Sequence, residues 1–235
     1  MSVRSHSARS WEPYAGLAYV VLFLGGILVS SPPADKASAE KWVANYTGVS
    51  QQARHVATGF LLLLAGLALM TFLVALWRRI ADADPDVPTS PLPIAAASVA
   101  AACMAAGGMV MSYISGGQIL GDFPLPSVDL LRLSNDLGFA LAGVAGGLSA
   151  GVAVAGLSLQ GHRAGVFSTR MRNAGLATSV ILVLSPMFIP IVALLAWVFG
   201  AAISWIRQLG RTGEELGAGR SPSPLHEGRV PEVTA

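Results

Sequence analysis

Residues 173–206 read NAGLATSVILVLSPMFIPIVALLAWVFGAAISWI, thirty-four positions without one charged side chain. As a single helix this stretch is about 50 Å long at 1.5 Å per residue, whereas a bilayer core of about 30 Å needs about 20 residues. Pro186 and Pro190 fall near its middle. Each proline removes a backbone donor and disfavours helix in the residue before it. Two readings follow: two short spans joined by a tight turn at the prolines, or one long, tilted, kinked helix.

Charge decides between them, because cytoplasmic segments carry the excess of Lys and Arg. Six spans with the N-terminus inside leave Arg4, Arg9, Arg78, Arg79, Arg163, Arg170, Arg172, Arg207, Arg211, Arg220 and Arg229 inside. Only Lys36, Lys41, Arg54 and Arg132 then lie outside, a ratio of 11 to 4. Five spans move the last four arginines outward and the ratio becomes 7 to 8. Six spans are therefore expected, with five as the alternative.

The totals agree with an all-α polytopic transmembrane helix bundle. Of the 235 residues, 53% are hydrophobic and 12% charged. A soluble domain carries about 25% charged residues. The net charge of +2 comes from scattered arginines, which excludes the basic patch of a nucleic-acid binder. Expected boundaries are a cytoplasmic N-terminus over 1–12, the bundle over 13–207, and a disordered cytoplasmic tail over 208–235. The tail is rich in Gly, Pro and Ser and has little to bury.

The other apolar runs are Tyr14–Val29, Val56–Trp77, Leu92–Ile114 and Leu137–Leu159. The first follows Arg4 and Arg9 and precedes an Ala37-Ser38-Ala39 site, the pattern of a signal peptide. Its length, the intervening Pro32 and Pro33, and the later spans favour a retained helix. In the loop that follows, Ser38 is placed to cap a short helix with Trp42 and Tyr46 on one face. That helix either lies on the membrane or covers a pocket. Asn45-Tyr46-Thr47 also matches a glycosylation sequon. Ala97, Ala101 and Ala105 offer a close-approach surface.

Gly143, Gly147 and Gly151 form a GxxxGxxxG stripe, which lets two helix backbones approach without intervening side chains. It serves packing inside the bundle or association with a second copy or another membrane protein.

Chemistry has few places to reside. All six predicted cores lack Asp, Glu, Lys, Arg and His. Ionisable groups inside a membrane mark proton relays and ion paths, so their lack argues against a proton-coupled transporter, a pump or an intramembrane metalloprotease. No HExxH, GxSxG, Walker loop or paired-cysteine motif occurs. The lone Cys103 builds no disulfide or metal cluster, and Met104, Met109 and Met111 do not share one helix face. No cofactor, no metal and no catalytic residue is expected. Hydroxyls of Thr58, Ser98, Ser112, Ser149 and Ser179 are expected to bond to their own helix.

The polar residues nearest the membrane are Arg54 and His55 before the second span, and Asn135 and Asp136 before the fourth. They compose a candidate outward polar site if those spans are neighbours, with an Arg54–Asp136 pair beside His55. The plain alternative is capping and anchoring, with Asp136 at the positive end of its helix.

The aromatic-flanked first span, Trp42 and Tyr46 in the first loop, Arg54 before the second span and Trp77-Arg78-Arg79 closing it carry a resemblance. Over residues 11–80 the chain resembles uncharacterised bacterial, actinobacterial-type multi-pass integral membrane proteins. The resemblance extends to six-span members that end in an apolar hairpin followed by arginines, and implies no activity; the charge count adds the expectation of a bacterial plasma-membrane protein with both ends cytoplasmic. The expected function is a non-enzymatic scaffold, accessory or self-associating bundle in the lipid bilayer. The alternative is a small transporter or channel for a neutral or apolar solute.

Overall fold

The computed structural model describes residues 11–30, 32–34, 36–86, 88–184 and 189–218. They form eight α-helices, one π-helical turn and no strand. The helices are α1 (Glu12–Val29), α2 (Ala39–Thr47), α3 (Val49–Ala83), α4 (Leu92–Gly121), α5 (Val128–Phe139), α6 (Gly146–Arg163), α7 (Thr169–Leu184) and α8 (Ile189–Ala218). The π turn, Ala140–Ala145, joins α5 to α6 without a break, so 128–163 is one continuous helical run. Between their ends, helices close their backbone hydrogen bonds within themselves, as a lipid environment requires.

Among the described residues five segments are long and apolar enough to cross a membrane: Glu12–Val29, Val49–Ala83, Leu92–Gly121, Val128–Arg163 and Pro190–Gly210. The 16 residues of α7 measure about 24 Å, short of a bilayer core of about 30 Å. Yet α7 and α8 are two helices and not one. Gly200 lies against Met171 and Gly175 against Trp197, so the two helices run antiparallel as a hairpin. The proline turn itself falls on 185–188, outside the described residues.

Around the bundle α1, α3, α4, α6, α7 and α8 pack on one another in that order, and α8 returns to α1. Small residues set the closest approaches. A Cβ on Gly66 would meet the Ala101 carbonyl at 2.8 Å, so the alanine stripe of α4 serves α3 as expected. The glycine stripe is used inside the chain: Gly151 faces Ser179 and Leu182 of α7, Gly147 faces Leu182, and Gly143 faces Ile191 of α8.

Several boundaries differ from the sequence expectation. Helix α4 runs on to Gly121 and α5 begins at Val128, where a loop over 115–132 is expected. Helix α3 begins at Val49, seven residues before the expected span. Polar residues here continue a helix because side-chain partners on adjacent helices satisfy them. Asp136 therefore lies inside a helical run and not at its N-terminus, which removes the dipole role expected of it. Helix α8 continues to Ala218, so the first part of the expected disordered tail is helical. Residues 219–235, like 1–10, fall outside the described residues.

One half of the ring is filled. Phe72, Leu73, Leu76 and Ile80 of α3 pack with Leu157 of α6 and with Leu194, Trp197 and Val198 of α8. At that end Arg79 lies 4.8 Å above the Trp205 ring and donates to Gln208. Among the described residues the other half, beneath α2, holds an open space.

Candidate functional site

The site is built from α2 outward. Ser38 adopts the extended conformation of an N-cap, although its hydroxyl makes no capping bond. Trp42 and Tyr46, four residues apart, share one face and are both buried. Trp42 packs on Leu131 of α5, and the Arg132 guanidinium stacks over its ring at 5.9 Å and donates to the Ala37 carbonyl at 3.0 Å. Tyr46 turns to α3, where its ring meets the His55 imidazole with centroids 4.4 Å apart. Helix α2 thus spans from α3 to α5 across the unfilled end of the ring.

His55 is held on both nitrogens. Asn45 Nδ2 donates to Nε2 at 3.0 Å, which leaves the ring proton on Nδ1 to be donated to Ser115 Oγ of α4 at 2.8 Å. Gln52 adds a second tie, donating to the Tyr46 carbonyl at 3.0 Å and to Gln118 Oε1 at 3.1 Å. Burial pushes the Tyr46 phenol up to about 12, so its hydroxyl is a neutral donor over the whole physiological range.

Beneath this network lie two adjoining spaces. The upper is a cleft of about 10 Å³ lined by Tyr46, His55, Asn135, Ser30, Pro32, Thr58 and Met111. That is room for about one water. The lower is a chamber of about 250 Å³ that shares Ser30, Pro32, Thr58 and Met111 with the cleft. Its other walls are Phe23, Gly26 and Ile27 of α1, Leu62 of α3, Phe139, Ala142 and Gly143 at the π turn, and Ile191 of α8. Among the described residues no Asp, Glu, Lys or Arg lines either space. The π turn falls beside the chamber, a location such turns often take near functional sites.

Two polar groups in the cleft make no hydrogen bond among the described residues. Tyr46 is 2% exposed and its hydroxyl is unpartnered, and Asn135 is 8% exposed with its amide unpartnered. Both residues line the cleft.

Of the four residues expected at an outward polar site, the structure brings His55 and Asn135 together and leaves Arg54 and Asp136 exposed. The Arg54–Asp136 pair is not formed, because α4 lies between α3 and α5. Tyr46, Asn45, Ser115 and Gln118 complete the network and were not part of the expected site. Thr58 also departs from expectation: its hydroxyl points to the Gly26 carbonyl of α1 at 3.4 Å and not to its own helix. Ser98, Ser112 and Ser179 do bond to their own helices. Among the described residues no cluster of His, Cys, Asp and Glu is arranged to hold a metal. No family model, curated protein or solved structure matches this chain.

Proposed function

We propose that this chain is a membrane carrier for a neutral, largely apolar small solute, with its binding chamber opening beneath α2. The observation that supports this reading is the chamber of about 250 Å³ joined to a cleft carrying unpartnered Tyr46 and Asn135. Ligand sites are typically concave and apolar with a few placed polar groups, and both features coincide here. The scaffold expectation drew on the glycine stripe, which faces α7 and α8 of the same chain. It therefore leaves no free stripe for a partner, and the carrier reading takes first place.

Orientation belongs to the same proposal. Arg78, Arg79, Arg163, Arg170, Arg172 and Arg207 lie at the end of the bundle away from α2, and Lys36, Lys41, Arg54 and Arg132 lie at the α2 end. By the positive-inside rule the α2 end faces outward. A bacterial plasma membrane, with α7 as a sixth crossing and both termini cytoplasmic, fits that charge distribution and the resemblance over residues 11–80.

The test is solute exchange in proteoliposomes. Vesicles containing the wild-type protein are loaded with a panel of small neutral solutes and their release is timed. Release several times faster than from protein-free vesicles, lost in Gly143→Leu, supports the carrier. Equal rates in all three preparations overturn it.

A further inference from the structure

Resting on the carrier reading, we infer that the ligand class is an uncharged, predominantly apolar alcohol, with its hydroxyl in the Tyr46–Asn135 cleft and its body in the chamber. The size of the cleft selects the head. About 10 Å³ accommodates one water-sized group, which a hydroxyl is and a phosphate, a sugar or a carboxylate is not. The chemistry of the cleft selects it a second time. The Tyr46 hydroxyl is a neutral donor and acceptor, and the Asn135 amide offers both a carbonyl and an NH₂. A hydroxyl both donates and accepts, so it partners both groups at once.

Charge excludes the alternatives. Among the described residues the cleft holds no Lys or Arg to neutralise an anion and no carboxylate to neutralise a cation. Arg54 is exposed, and Arg132 is engaged with Trp42 and the Ala37 carbonyl. The His55 imidazole, which also lines the cleft, has both nitrogens occupied by Asn45 and Ser115. Burying a charge without a partner is far more costly than burying a hydrogen-bonded hydroxyl. The chamber sets the length of the body: a cavity of about 150 Å³ admits benzene, so about 250 Å³ accepts roughly ten heavy atoms.

The experiment is native mass spectrometry of the detergent-solubilised full chain with four probes of one tail length: 1-nonanol, its methyl ether, nonanoate and nonylammonium. Expected is one bound nonanol, at least ten-fold tighter than the ether or either ion. Tyr46→Phe and Asn135→Leu, which keep ring and volume, each bring nonanol to the level of the ether. Gly143→Leu puts a four-carbon side chain into the chamber and is expected to abolish binding of every probe. Circular dichroism confirms that each variant keeps its helices. If the ether or an ion binds as tightly as nonanol and Gly143→Leu still abolishes it, the alcohol class is overturned while the chamber stands. Should no probe bind in a manner sensitive to Gly143→Leu, the carrier reading falls as well. Delivery of nonanol from vesicles and from water is compared in the same assay. Faster loading from either one identifies a lipid-borne or a free alcohol, and both uphold the class.

Discussion

The Tyr46 ring of α2 lies across the His55 imidazole of α3, 4.4 Å between centroids, while Asn45 one position earlier donates to the same imidazole. A nine-residue helix is too short to persist alone in water. Its order therefore depends on these ties and on Trp42 packed at Leu131. His55→Leu removes the Asn45 hydrogen bond and the ring contact together. At about 1 kcal/mol for a typical hydrogen bond, amides of 39–47 are expected to exchange roughly ten-fold faster, with α6 unchanged. Equal acceleration in α6 would indicate global destabilisation and not release of α2.

The buried Tyr46 hydroxyl makes alkaline stability diagnostic. Its folded pKa is raised from about 10 to about 12, so the folded state resists ionisation that the unfolded state accepts. The contribution is fully present below about pH 10 and is lost as pH rises toward 12. Between those values the wild-type protein is expected to lose about 1–2 kcal/mol relative to Tyr46→Phe, with the other tyrosines cancelling in the difference. Thermal melts at pH 8 and pH 11.5 measure it. An unchanged difference between the two pH values means that Tyr46 titrates like a free phenol.

Glycine positions separate packing from lining. A Cβ on Gly107 would come within 2.5 Å of the Gly138 carbonyl and 2.8 Å of the Ala142 nitrogen, and backbone cannot step aside. Gly107→Ala is expected to cost about 1–3 kcal/mol by overpacking. At Gly143 the nearest atom is Ile191 Cδ1 at 3.9 Å. Gly143→Ala is expected to be neutral or to stabilise by up to about 1 kcal/mol through helix propensity. Detergent-denaturation midpoints of the two variants decide this, and similar losses in both would contradict the open wall at Gly143.

Much of the architecture is legible in the sequence because lipid enforces it. Long charge-free runs, the two prolines at 186 and 190, and the arginine asymmetry mark the helices and the α7–α8 hairpin. The site is half legible. His55 and Asn135 stand out as polar residues beside apolar runs, but Arg54 and Asp136 do not join them, and helix geometry says why. Successive residues point about 100° apart, so turning His55 and Asn135 inward turns their neighbours outward. Tyr46 could be placed on a face with Trp42, whereas its position over His55 depends on α2 folding back at Gly48. Ser115 and Gln118 look like loop residues until α4 is seen to continue beneath them. The π turn at Ala140–Ala145 has no distinguishing residue pattern. It occurs where α4 presses closest on the run at Gly138 and Ala142.

At the far end, the half-buried Arg79 joins α3 to α8 through Trp205 and Gln208. Removing it forfeits a cation–π contact of about 0.5–2 kcal/mol and one charge-assisted hydrogen bond. Arg79→Leu is expected to lower stability by about 1–3 kcal/mol and to loosen α8 before α6. Arg79→Lys retains the charge but not the planar fork, and is expected to recover only part of the loss. Limited proteolysis of α8 alongside a melt reads both effects. Full recovery by lysine would assign the role to charge alone.

The number of crossings turns on α7, whose 16 residues are short for a bilayer yet return antiparallel to α8. Arg54, Arg170 and Arg207 are all exposed and mark three helix ends: the start of α3, the start of α7 and the far part of α8. The ring packing places Arg170 and Arg207 at one end of the bundle and Arg54 at the other. Single cysteines replacing each arginine, in a Cys103→Ser background, are to be treated in intact cells with a membrane-impermeant maleimide. Arg54→Cys is expected to label at once, and Arg170→Cys and Arg207→Cys only after the cells are opened. Labelling of Arg207→Cys together with Arg54→Cys, while Arg170→Cys stays protected, would mean that the hairpin does not return across the membrane and that five crossings are correct. A short α7 can cross only where the bilayer thins or its ends are snorkelled, at a fraction of a kcal/mol per Å of mismatch. A shortfall of about 6 Å is within reach of that adjustment, which is why six crossings are the expected result.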